Sequence, residues 1–105
     1  MTDEQGKMDI LPMDVLDEAA ACLKIMAHPV RLKIVDILMQ GDLAVHEISE
    51  MCGVKPHQIC EHLRLMQTSG LLASRRIGRT VHYSIVSPRL VGLIHCIRQS
   101  CGSER

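Results

Sequence analysis

The stretch that decides the fold is Gly70–Ile85, GLLASRRIGRTVHYSI. Its second half alternates. Val81, Tyr83 and Ile85 fall on one side and Thr80, His82 and Ser84 on the other, the two-residue period of a strand with one buried face. The first half runs into Arg75-Arg76-Ile77 and turns at Gly78, which predicts a short hairpin with Arg75, Arg76 and Arg79 near its tip. A finger so rich in guanidinium suits phosphate.

Working upstream, Ala44–Cys52 reads as a short helix with Val45, Ile48 and Met51 or Cys52 inward. Gly53-Val54-Lys55 breaks that pattern, and Pro56 fits the first turn of a second helix, where a missing N–H is harmless. The second helix runs to about Ser69, with Ile59, Leu63 and Met66 at helical spacing and Gly70 as its terminator. Two helices joined by a three-residue turn containing glycine predict a helix-turn-helix, and the hairpin behind it makes the unit winged.

The run from Ala27 to Tyr83 resembles the ArsR/SmtB family of small bacterial repressors. Ala27-His28-Pro29-Val30-Arg31-Leu32 looks like the opening of that family's second helix. Cys60-Glu61-His62-Leu63 is similar to its Ser-x-His-Leu, and Gly70-Leu71-Leu72 through Arg75-Arg76-Ile77-Gly78-Arg79 to Val81-His82-Tyr83 looks like its wing. The resemblance implies a DNA-binding repressor that pairs through its first and last helices and leaves its operator when an effector binds. In a major groove, the outward positions of the second helix of the motif are Lys55, His57, Gln58 and Glu61, with Arg64 further along toward phosphate. Gln58 can pair with adenine and Glu61 can accept from a cytosine amine. Arg75, Arg76 and Arg79 would add phosphate or minor-groove contacts. Two positions depart from the family pattern: Lys55 stands where a capping Ser or Thr is usual, and Cys60 where Ser is usual. His57, Cys60 and Glu61 share one helical face, but that face is the one DNA needs, so groove-facing polar residues are preferred there over a metal site. His28 reads as a helix cap.

Further out, a first helix spans about Met13–Met26, with Val15, Ala19, Cys22 and Met26 on one stripe and Leu16, Ala20 and Leu23 beside it. Pro29 opens a second helix that stops at Gly41, with Val30, Ile34, Ile37 and Leu38 apolar. Pro88 opens a last helix, its stripe Leu90, Ile94, Ile97 and Cys101, ending near Gly102. The expected fold is mainly α with a small β-hairpin wing, in the order α-α-α-α-β-β-α. A twofold homodimer would present its recognition helices to successive major grooves, about 34 Å apart, on double-stranded operator DNA.

The 105 residues predict one domain, residues 13–103, behind an acidic and disordered arm, residues 1–12. Net charge is zero only as a sum: residues 1–18 carry six acids against Lys7, a net of −5, leaving +5 on residues 19–105. Tyr83 is the one aromatic residue of the Phe, Trp and Tyr class, so the core must be aliphatic. No apolar run is long enough for a membrane span, and the acidic start does not resemble a signal peptide, which points to the cytoplasm. No nucleophile with a paired base, phosphate loop or open metal motif suggests an enzyme.

Five cysteines without a CxxC favour neither a disulfide framework nor a zinc ribbon. Asp42-Leu43-Ala44-Val45-His46-Glu47-Ile48 lacks the thiols of the family's arsenic motif. Ser87, Arg89, Ser100 and Ser103 replace the ligands of its zinc site. Cys22, Cys96 and Cys101 remain as an effector site for a soft ion such as As(III), or for oxidants and reactive sulfur, with no obligatory cofactor. On a continuous α-helix, Cys96 and Cys101 would stand roughly 8 Å apart and some 140° around. Packing competes with sensing, because Cys22 and Cys101 both lie on apolar stripes. The alternative from another class is a winged interaction module that does not bind DNA.

Overall fold

The structure, a computed structural model, describes residues 8–102. Helix α1 spans Met13–Met26 and α2 Pro29–Leu38; strand β1 is Leu43–Ala44; α3 spans Val45–Cys52 and α4 Pro56–Thr68; strands β2 and β3 are Leu72–Ile77 and Thr80–Ile85; α5 is Pro88–Ile97. A π-helical turn, Arg98–Gly102, follows α5. Helices α2, α4 and α5 each begin on proline, whose fixed φ and missing donor suit a first turn. Side-chain acceptors from beyond the adjacent residue cap two starts. His28 Nδ1 accepts from the Val30 N–H at 3.2 Å, the expected cap, and the Glu47 carboxylate accepts from the Ala44 N–H at 2.9 Å ahead of α3.

The apolar stripes converge over most of their length, although Val15, at the start of the α1 stripe, is exposed. Met26 of α1, Ile34, Val35 and Leu38 of α2, Ile48 of α3, Ile59, Leu63 and Met66 of α4, and Leu90 and Ile94 of α5 form one buried cluster with Leu71 and Leu72. Helix α2 is its axis, packing on α1, α3, α5 and β3. Each wholly buried aliphatic side chain contributes about 1.5–3 kcal/mol, so the α4 trio alone holds that helix firmly.

Local chemistry fixes the two turns that orient α4. Before it, Gly53 takes φ +69° and the buried Ser49 closes the loop: its carbonyl accepts from the N–H groups of Gly53 and Val54, and its hydroxyl donates to the Val54 carbonyl. After it, Gly70 at φ +80° sets a Schellman stop, with Leu71 N–H on the Met66 carbonyl at 2.9 Å and Gly70 N–H on the Gln67 carbonyl at 3.0 Å. Met66 and Leu71 are both buried against the same core. Any other L residue at Gly70 is strained by about 1–2 kcal/mol.

Several details differ from expectation. A third strand exists: β1 pairs antiparallel with β3, Leu43 opposite Tyr83 and Ala44 opposite His82, so β3 is central in the order β1-β3-β2. Two residues carry no readable period, which hid it from the sequence. Helix α2 ends at Leu38 rather than Gly41, with Met39 as its cap. The α-helical part of the last helix ends at Ile97, and the rest widens into the π turn. No β3 residue is fully buried. Tyr83 and Ile85 lean on the core, whereas Val81 lies out beside Arg76. Cys101 is exposed rather than part of a packed stripe, while Cys22 is buried. Of the expected arm, residues 1–7 lie outside the described residues, as does Ser103; residues 8–12 are exposed and without regular structure. Among the described residues, no helix is long and apolar enough to cross a membrane.

Candidate nucleic-acid interface

Burial splits α4 into two sides. Ile59, Leu63 and Met66 have no exposed surface, and of the residues between them only Cys60 and His62 are partly buried. Lys55, His57, Gln58, Glu61 and Arg64 are all exposed, as the sequence predicts for residues facing a groove. Cys60 is half-buried and turned partly from that row. Lys55 makes no side-chain cap, in keeping with its lack of an acceptor, and Pro56 carries the initiation. Among the described residues, no group of three or more His, Cys, Asp or Glu side chains is placed to hold a metal ion. His57, Cys60 and Glu61 therefore do not form one, and neither do Cys22, Cys96 and Cys101 within a single chain.

The wing joins α4 through β2 and carries its three arginines toward the tip without gathering them on one side. Cross-strand register sets Arg75 opposite His82 and Arg76 opposite Val81, so adjacent arginines project to opposite faces of the hairpin. Arg79 sits in the two-residue turn between Ile77 and Thr80. All three are exposed. The sequence pattern missed two anchors. Asp42 meets Arg75 at 3.7 Å, and Gln67 Nε2 at the end of α4 donates to Ser74 Oγ of β2 at 3.0 Å. The Asp42 pair is well solvated and contributes little to stability, but it biases Arg75 toward the base of the wing. Neither anchor has a local signal, since each joins separate elements.

Behind the exposed row, one polar link holds α4 to α2. Arg31 Nε donates to His62 Nδ1 at 3.1 Å, and Arg31 Nη1 donates to the Ile25 carbonyl at 3.0 Å. The His28 ring meets the His62 ring edge-on, centroids 4.6 Å apart. Burial, then the neighbouring His28 and Arg31, push the His62 imidazole below its ordinary value, with Glu61 pulling the other way. A neutral His62 keeps the Nδ1 lone pair that Arg31 uses, and protonation removes it. Cys52, beside the turn, is also perturbed: burial pushes its thiol up, against the lowering influence of Lys33.

Because the folded state disfavours protonated His62, its contribution is complete above the unfolded value of 6.5 and declines as pH falls through the lower folded value. Denaturant melts of wild type and His62→Gln between about pH 7 and 5 check this. The wild type is expected to lose stability more steeply than the variant on acidification; parallel curves contradict the link.

The family model for bacterial regulatory proteins of the arsR family matches residues 28–74, from the His28 cap through α4 into β2. The HTH-type transcriptional repressor SmtB of Mycobacterium tuberculosis is 30% identical over 83 residues, which are 79% of this chain and 62% of the repressor. The chain thus spans less than two thirds of that relative's length. An uncharacterised HTH-type transcriptional regulator of the same organism is 31% identical over 81 residues, 76% of this chain and 71% of the regulator. Among solved structures, the homodimeric winged helix-turn-helix DNA-binding domain of a possible ArsR-family regulator from Mycobacterium bovis matches with a TM-score of 0.74 at 27% identity, covering 88% of this chain and 85% of that one. With the winged core, the His28-Pro29 helix start and the Arg31–His62 hydrogen bond all inside the matched segment or its immediate continuation, the chain belongs to the ArsR family of bacterial regulatory proteins.

Proposed function

We propose that the chain is a homodimeric repressor that holds palindromic operator DNA with α4 and the wing and releases it when a thiol-directed effector acts at its C-terminal end. The observation that carries the DNA reading is the division of α4: a wholly buried aliphatic side opposite an exposed row, Lys55, His57, Gln58, Glu61 and Arg64, with Arg75, Arg76 and Arg79 on the adjoining hairpin. Gln58 and Glu61 supply base-edge chemistry, and the arginines supply phosphate contacts. The dimer reading is supported by apolar surface on and before α1: Met13, Leu16 and Leu23 are exposed, with Ile10 and Leu11 ahead of them. A second copy would cover that surface, as the homodimeric relative suggests.

The effector reading rests on Cys96 and Cys101, both exposed. Residues five apart lie far around a regular α-helix; Cys96 stands in the last turn of α5 and Cys101 in the wider π turn Arg98–Gly102, where more residues per turn narrow that angle. That favours chemistry on the two thiols together, whether by a soft ion such as As(III) or by an oxidant or reactive sulfur. Cys22, buried in the core, becomes a third ligand only if α1 moves or a partner chain brings another thiol near.

Operator binding over a salt series tests the DNA half. Replacing Arg75, Arg76 and Arg79 together by alanine should weaken binding to all sequences and reduce the salt slope by up to about 0.9 for each phosphate left without its arginine. An unchanged slope contradicts the role of the wing, and no wild-type binding at low salt favours a winged interaction module. For the effector half, the Cys96→Ser, Cys101→Ser double variant should bind operator normally yet resist release by arsenite or persulfide; release equal to wild type by both agents overturns it.

A further inference from the structure

A cleft of about 600 Å³ opens between α2 and the C-terminal end of α5, away from the exposed row of α4. Leu32, Ile94 and Ile97 form its walls, and Lys33, Asp36 and Arg98 stand at its rim. Its size falls in the range of small-molecule sites, roughly 300–1,000 Å³, and apolar walls with a few charged groups at the rim are common in such sites. The rim charges are unequal. Arg98 pairs with Asp36, while Lys33 has no ion-pair partner among the described residues, so the described rim residues carry two positive charges against one negative.

We propose that this cleft binds a small carboxylic acid with a compact apolar body, its chain against Leu32, Ile94 and Ile97 and its carboxylate between Lys33 and Arg98. Arg98 can serve two anions at once. A guanidinium has five N–H donors in a fixed fork, so the edge not held by Asp36 is available to a ligand. Asp36 acts here as a positioning residue that fixes the Arg98 plane over the opening; as a solvated pair it adds little stability, which leaves orientation as its consequence. Arg98 continues the α5 spiral as its cap, with α-helical backbone angles and its N–H on the Ile94 carbonyl, and so stands beside Ile94 and Ile97 in the cleft lining. A neutral apolar molecule would fill the walls but leave Lys33 unanswered, and a polar anion would strand the aliphatic lining. An amphipathic monoanion satisfies both.

The site does not depend on the DNA reading, because binding is measured on the whole 105-residue chain without DNA. Sodium octanoate, with 1-octanol as the uncharged control, is titrated into isotopically labelled protein while backbone amide shifts and heats of binding are followed. Saturable shifts are expected at Leu32, Ile97 and Arg98. Lys33→Glu and Arg98→Gln should each weaken octanoate by about tenfold while leaving 1-octanol nearly unchanged, as expected on removing one charge-assisted hydrogen bond. Ile97→Trp, which fills the cleft, should remove both ligands, with the amide spectrum reporting that the fold persists. Asp36→Asn should weaken octanoate less than Arg98→Gln does. The proposal is overturned by an absence of saturable shifts at the cleft up to about 10 mM octanoate, where a millimolar site would be occupied. It is equally overturned if octanoate affinity is indifferent to Lys33→Glu and Arg98→Gln.

Discussion

The exposed row of α4 depends on the burial of the opposite side of the same short helix. Ile59, Leu63 and Met66 leave no surface to solvent, and their spacing allows α4 only one rotation about its axis. A turn of some 100° would bury Gln58 or Arg64 without partners and expose a methionine or leucine in exchange, at a cost of several kcal/mol on both counts. The outward row is therefore a consequence of the inward one. Gly53 and Gly70 set the two ends of the helix, and the Arg31–His62 hydrogen bond adds directionality to the aliphatic packing. Sliding or tilting α4 against α2 would break that bond first.

The wing is held by a different kind of force. Its base is anchored by Leu72 in the core, by the pairing of β1 with β3, and by Gln67 on Ser74, whereas its outer half is exposed from Ser74 through Arg79. A finger with a fixed base and a solvated tip can meet a charged surface without reorganising the core. The opposite faces occupied by Arg75 and Arg76 mean that a duplex edge lying along the wing meets one of them directly and the other only around the tip, with Arg79 at the turn between. Asp42 weights that choice by engaging Arg75.

The sequence made the skeleton legible because the helices announce themselves twice, through apolar period and through a proline or glycine at an end. The hairpin was legible from its alternation and from Gly78. What escaped had no such local signature. Two-residue β1 cannot show a period, the Arg31–His62 and Asp36–Arg98 pairs join residues 31 and 62 positions apart, and the π turn preserves the same residues while changing their angular spacing. Cys101 is a case in point: its place on an α-helical stripe suggested burial, and it lies exposed in the wider turn. The exposed row of α4 could be read in advance because it is the complement of a buried period. The cleft could not, since it exists only where α2 and the end of α5 meet.

The central claim is that α4 and the wing together form the face that meets DNA, while α1 and α5 serve assembly and regulation. Backbone amide shifts of the 105-residue chain, followed as a short duplex carrying an operator sequence is added, test it most directly. Perturbation is predicted to concentrate in Lys55–Arg64 and Arg75–Arg79, weakening as salt is raised. Shifts confined to α1 and α5, or none at the exposed row of α4, would contradict it.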